Sequence, residues 1–229
     1  MPLTPARRRG VELLDDPAVD DATRARSIAD VARSNRWLGG RRAVRLALDD
    51  ALRRRPRGAR APLVLDVGTG AADLASLARA RGALVLGVDL APSLVREARR
   101  RGALDHALVA DALRLPLASG SVDVVVCSQL LHHFEWEDAR RLVVELHRVS
   151  RGVVLISDLR RSWLAAIGFW LVSWPFRFHR VTRHDGVVSV LRGFTSAELR
   201  ALVREATGRE PRIVRRLGWR LVSTSGPSA

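Results

Sequence analysis

Lysine and tyrosine are absent from the 229 residues, and cysteine and methionine occur once each, as Cys127 and Met1. Each absence removes a chemistry. A phosphate-cradling P-loop needs a lysine, and so does a Schiff-base enzyme. A tyrosine–lysine dehydrogenase site cannot be built. A lone cysteine forms neither an intrachain disulfide nor a multi-cysteine zinc site. Long apolar runs are also missing. The longest, Trp163–Phe176, is shorter than the roughly 17–25 residues that span a bilayer. The arginine-rich first ten residues lead into no apolar stretch; Asp15, Asp16, Asp20 and Asp21 come instead. No secretory signal is read, and the expected location is cytoplasmic.

What the chain has in excess is arginine. All 39 basic residues are arginine, set against 24 acidic ones, for a formal charge of +15. The accompanying wealth of Ala, Gly, Val and Leu reads as a bias toward GC-rich codons. The charge is therefore read as a solvated surface before it is read as a nucleic-acid footprint. Hydrophobic residues make up 47%, enough for a sizeable core in one domain with an appended cap.

Periodicity divides the chain in three. Residues 1–60 read as a helical cap. One helix starts at Asp21-Ala22-Thr23 and runs to about Arg33. A second runs from Arg41 to about Arg55, with Val44, Leu48 and Leu52 on one face. Pro56, Gly58 and Pro62 mark a linker. From residue 61 onward, short apolar strands alternate with helical patterns: strands at 63–67, 83–88, 106–110, 122–128 and 152–157, helices at 71–81, 93–101 and 135–150. This order predicts an α/β fold, a Rossmann-like, doubly wound, mainly parallel seven-stranded sheet. Residues 160–194 interrupt it with an apolar helical insertion and a polar loop. Thr195-Ser196-Ala197-Glu198 is a capping box for a last helix. Two strands around Gly218 end the chain, the last of them antiparallel.

Chemistry concentrates at the strand ends. In Leu63-Val-Leu-Asp-Val-Gly-Thr-Gly70, Gly68 and Gly70 allow a ligand to lie against bare backbone. Asp66 narrows the ligand. A carboxylate there repels a pyrophosphate and favours a cationic amine; the competing role is a helix cap or a ligand of loop amides. Asp89 ends the second strand and is placed to accept ribose hydroxyls. Asp111 comes just after the third, placed for an adenine amino group, with the Ala112 amide facing a ring nitrogen. Three acids at successive strand ends line one crevice.

These segments, with Leu115–Phe134, resemble the class I S-adenosylmethionine-dependent methyltransferases over about residues 60–160. The run Gly68-Thr-Gly-Ala-Ala-Asp-Leu-Ala75 is similar to that of quinone-biosynthesis and polyketide or phenol methyltransferases. One departure is Ala72, where the family often has a third glycine. The resemblance implies S-adenosylmethionine as cofactor, held by Asp66, Gly68, Thr69, Gly70, Asp89, Leu90, Asp111, Ala112 and Gln129. Methyl transfer requires no metal; a His/Asp pair could bind one, but no convincing ligand spacing is read.

The acceptor side is read from the residues just past the fourth strand. Cys127-Ser128-Gln129-Leu130 stands where nucleobase and amide methyltransferases carry Asn/Asp-Pro-Pro-Tyr/Phe, which disfavours nucleic acid and favours a small acceptor. His133 is the first choice for a catalytic base and His184, in Arg183-His184-Asp185-Gly186, the second; His132 is expected to face the acceptor. Trp170 and Trp174, in the apolar segment, are expected to bind it. That segment has three readings: a lid over an apolar pocket, a helix on a membrane surface peripheral to the inner face, or an oligomer contact. The Gly39-Gly40 pair is a candidate hinge. The expected acceptor is small and aromatic or lipophilic, a quinone precursor or polyketide phenol methylated on O or C. An RNA methyltransferase and a non-catalytic partner subunit are the competing functions. The oligomeric state is left open.

Overall fold

Seven short segments, most of them rich in valine and leucine, pair into one sheet of order β3-β2-β1-β4-β5-β7-β6. In the computed structural model, which describes residues 4–8, 10–16, 18–53 and 60–226, the strands are β1 (Leu63–Val67), β2 (Leu84–Asp89), β3 (His106–Val109), β4 (Val122–Ser128), β5 (Ser150–Leu159), β6 (Arg212–Arg216) and β7 (Arg220–Ser225). β1 to β5 are parallel; β7 runs antiparallel to both its neighbours, β5 and β6. This is the expected Rossmann-like sheet with its reversed last strand. The linker residues Pro56 and Gly58 lie outside the described residues.

Among the described residues, eight α-helices accompany the sheet: α1 (Asp21–Trp37), α2 (Gly40–Arg53), α3 (Ala75–Arg79), α4 (Pro92–Arg100), α5 (Trp136–Val149), α6 (Trp163–Ser173), α7 (Arg180–Arg192) and α8 (Ser196–Thr207). Side-chain alternation sends β4 to two cores. Val125 and Cys127 pack with Leu142 and Leu146 of α5 and Leu199 and Leu202 of α8. Val124 and Val126 pack on the other face with Val44 and Leu48 of α2 and Ala75 and Ala78 of α3. α2 thus shares a core with the sheet.

Local signals explain most boundaries. Asp20, one residue before the expected start, caps α1 by accepting from the Thr23 N–H. Pro92 opens α4, and the Thr195–Glu198 capping box opens α8. The largest departure lies in 180–192. The segment expected to be a polar loop, with Arg183-His184-Asp185-Gly186 inside it, is the helix α7. Gly186 reads as a turn residue in the sequence, but packing is what requires it. A Cβ there would lie 2.0 Å from Phe169 Cε1 of α6, so glycine lets the two helices meet. A second departure is α3, which starts at Ala75, four residues later than expected. The chain first turns through Gly70 and Ala72, both with left-handed φ.

Candidate active site

The strand order reverses between β1 and β4, so their carboxyl ends bound a crevice. The loop after β1 starts it. Gly68 and Thr69 donate their backbone N–H groups to Val88 O at 2.8 and 3.0 Å, which ties the loop to β2. Gly70 takes a φ of +50°, and among the described residues no packing atom lies within 4 Å of the place its Cβ would occupy. That open backbone is room for a ligand.

Asp66 lies under the loop, 4% exposed, and accepts from the Thr69 hydroxyl at 2.8 Å. Burial raises its pKa to about 7, against the Thr69 hydrogen bond and with help from the charges of Asp73 and Asp89. Such a carboxyl gains most from a cationic partner. Asp89 accepts from the Gly70 N–H at 2.8 Å and the Ala91 N–H at 2.9 Å, so it braces the loop as well as facing the crevice. Asp111 is exposed and accepts from the Leu113 N–H at 2.9 Å; Leu90 is exposed and Ala112 half-buried. Gln129, with φ +55°, closes the far side from the end of β4, and its side-chain amide donates to Asn35 Oδ1 of α1. These residues, with acids for cationic or hydroxylated groups and bare backbone between them, fit the cofactor expected from the sequence.

Gln129 also lines a cavity of about 400 Å³. Its walls are apolar: Leu14 and Val31 from the N-terminal region, Leu159 at the end of β5, and Phe169 and Val172 of α6. Its floor is polar and holds His132, His133 and Glu12.

His132 is buried and bonded to Asp158 twice. Its Nδ1 lies 2.6 Å from Asp158 Oδ1, and its backbone N–H donates to Asp158 Oδ2 at 3.0 Å. Burial works against the Asp158 charge, but the His132 ring and the N–H groups of Leu159 and His132 hold its carboxyl below the usual range. Nδ1 thus faces the Asp158 carboxylate, and Nε2 is the ring nitrogen turned toward Glu12. Glu12 lies opposite, with Oε1 3.8 Å from His132 Nε2 and Oε2 3.9 Å from His133 Nε2. Those gaps are too long for direct hydrogen bonds and suit a third group between them. The three ligand atoms all fall within 4.8 Å of one another, a spacing that could hold a metal ion. The His133 ring stacks 4.4 Å from that of His132. Burial, with His132 and Arg192 nearby, lowers its pKa to about 3, so it is neutral near pH 7.

Other expected site residues stand elsewhere. His184 is 47% exposed and lies against its own neighbour, Asp185, at 2.8 Å. Asp185 is what α7 turns to the cavity, and it accepts from the backbone N–H groups of Leu13 and Leu14 at 2.7 and 3.0 Å. Trp170 and Trp174 point outward, 46% and 53% exposed, in edge contact with each other; α6 lines the cavity with Phe169 instead. Three residues escape the sequence reading: Glu12, Asp158 and Arg220. Asp158 carries a usable signal, being an acid at the end of a fifth strand. Glu12 and Arg220 carry none, because only tertiary packing brings them to the site.

Comparison with known proteins bears on the fold and on residues 65–156. Residues 65–156 match the methyltransferase domain family. Over 120 residues the chain is 40% identical to a demethylmenaquinone methyltransferase of Thermus thermophilus, covering 50% of this chain and 49% of that protein. Over 108 residues it is 34% identical to a malonyl-[acyl-carrier protein] O-methyltransferase of Serratia marcescens, covering 46% and 41%. The chain thus spans less than half the length of these curated relatives. Among solved structures it is similar to magnesium protoporphyrin IX methyltransferase from Synechocystis, with TM-score 0.56, 18% identity, and 95% and 89% of the two chains covered. It is also similar to a SAM-dependent methyltransferase from Aquifex aeolicus, with TM-score 0.58, 17% identity, and 88% and 97% covered.

Proposed function

We propose that the chain, whose residues 65–156 match the methyltransferase domain family, is a class I S-adenosylmethionine-dependent methyltransferase that methylates O or C of a small aromatic or lipophilic acceptor seated in the cavity of about 400 Å³. The observation that carries this reading is the cavity itself: an apolar chamber with a polar floor, lined by Gln129 just past β4, the strand paired with β1, whose following loop carries Gly70.

When bound, S-adenosylmethionine supplies a sulfonium methyl group, which passes to the acceptor while the electron pair of the carbon–sulfur bond stays on sulfur. Asp66 would hold the amine of its methionine part, Asp89 the ribose hydroxyls, and Asp111 with Ala112 the adenine. Phe169, Val172 and Leu159 exclude water and hold the acceptor's apolar body. His132 Nε2 takes the proton of an acceptor hydroxyl, and Asp158 stabilises the imidazolium that forms. His133, neutral, orients the same oxygen together with Glu12. The Asp158 partner moves the first choice of base from His133 to His132. His184 serves α7 and its contact with Asp185.

α6 has two roles in this reading. Its inner face lines the cavity. Its outer face carries Leu164, Ile167, Leu171 and Trp174, each about half exposed, with exposed Arg177 and Arg180 beyond its end. That face suits peripheral contact with an anionic bilayer, from which a lipophilic acceptor would enter. No helix among the described residues is long and apolar enough to cross a membrane.

The test is calorimetric binding of S-adenosylmethionine, then transfer of labelled methyl to phenols, quinols and malonyl thioesters. Methylation of RNA alone supports the nucleic-acid reading. Binding without transfer to any acceptor supports the partner-subunit reading. Either result defeats the small-acceptor proposal.

A further inference from the structure

Arg220 is the first residue of β7 and lines the cavity, only 3% exposed. Its hydrogen bonding is poor for a buried guanidinium. Nη2 reaches Asn35 Oδ1 at a long 3.4 Å, and Nε is buried with no partner among the described residues. Asp158 and Asp73 act on it only through the field, and burial lowers its pKa to about 10, so it stays charged at neutral pH. Arg161, equally buried, shows what a satisfied arginine looks like in this fold. It donates to Pro5 O at 2.8 Å, Gly193 O at 2.7 Å and Glu198 Oε1 at 2.6 Å. A buried cation with an unmet donor is costly unless something else supplies the anion.

The position of Arg220 names that anion. Asn35 Oδ1 accepts from both Arg220 and Gln129, and both of these residues line the cavity, Gln129 from just past the end of β4. A planar fork with a free N–H recognises a carboxylate side-on. We propose that Arg220 is a carboxylate-binding residue of this site. The proposal rests on the functional reading above, which offers two sources. One is the methionine carboxylate of S-adenosylmethionine, whose amine is claimed by Asp66. The other is a carboxylate on the acceptor.

Calorimetry on the full chain separates the two. If the cofactor is the source, wild-type protein binds S-adenosylmethionine at least about tenfold tighter than its decarboxylated analogue, and Arg220→Gln closes the gap. If the acceptor is the source, the two cofactors bind alike. Benzoate or salicylate then binds wild-type protein saturated with S-adenosylhomocysteine, and Arg220→Gln weakens it at least about tenfold. Absence of both effects overturns the proposal. Should Arg220→Gln lose its circular dichroism, the wild-type comparison and Arg220→Lys, which keeps charge but not the fork, decide. Failure of wild-type protein to bind S-adenosylmethionine at all defeats the functional reading instead. The benzoate arm, run without cofactor, then still decides Arg220.

Discussion

A carboxyl buried as deeply as Asp66 makes ligand binding a proton-linked event. Its pKa in the fold is about 7, well above an ordinary carboxyl. Between roughly pH 4 and 7 the folded chain therefore keeps a proton that the unfolded chain has lost, and stability falls as pH rises through that window. A cationic amine beside Asp66 expels the proton. The S-adenosylmethionine dissociation constant should fall about tenfold per unit from pH 5 to 7 and flatten above. Calorimetry in buffers of different ionisation enthalpy should show nearly one proton released at pH 6 and none at pH 8. A flat profile removes Asp66 from the amine. His132→Ala should lower turnover roughly 10²–10⁴-fold with S-adenosylmethionine affinity unchanged, and Asp158→Asn should act in the same direction. Equal losses of affinity and turnover would mean that the pair only holds the fold. Phe169→Ala should raise the acceptor's Michaelis constant by about 2 kcal/mol, while Trp170→Ala should leave it unchanged. At this scale the acids proposed for the cofactor are legible in the sequence. Asp66, Asp89 and Asp111 recur at strand ends, and strand ends are visible as the last residues of apolar runs. The acceptor side is not. Glu12 lies 120 residues before His132, and nothing local in its surroundings marks it for that cavity.

Helices and strands emerge from pattern wherever one face is apolar and caps are side chains. β4 has its expected bounds because Val122–Ser128 is a valine-rich apolar run between polar turns. β5 runs longer than expected, to Leu159, because its last residues pair with β7, and pairing leaves no trace in the pattern. α7 fails to show for the opposite reason. Its faces are nearly equal in polarity, and it contains a glycine, so neither period nor propensity marks it. Its helical state comes from contact with α6. Gly186→Ala tests that account. Its methyl would clash with the Phe169 ring, so thermal unfolding should show a loss of about 1–3 kcal/mol. The displaced ring should also narrow the cavity and weaken acceptor binding. An unchanged melting midpoint would show that the helix pair yields freely.

For the whole molecule, surface charge and the outer stripe of α6 make one prediction. The chain should float with vesicles containing anionic lipid, release with salt, and fail to bind neutral vesicles. Leu171→Glu should abolish flotation without altering the fold, because Leu171 is exposed. Retained flotation would place the contact elsewhere. The cavity has another consequence, in the order of folding. Its N-terminal wall is pinned by partners far along the chain. Arg7 donates to Arg192 O at 2.7 Å and to Phe134 O at 2.7 Å, while Leu13 and Leu14 donate to Asp185. Residue 7 is synthesised 185 residues before residue 192, or roughly 10–40 s earlier at ribosomal speed. Closing so long a loop is slow, so the sheet should form first and the N-terminal strap should dock last. Arg7→Ala should then speed unfolding and leave the folding rate unchanged, which puts the cavity among the first parts lost and the last regained.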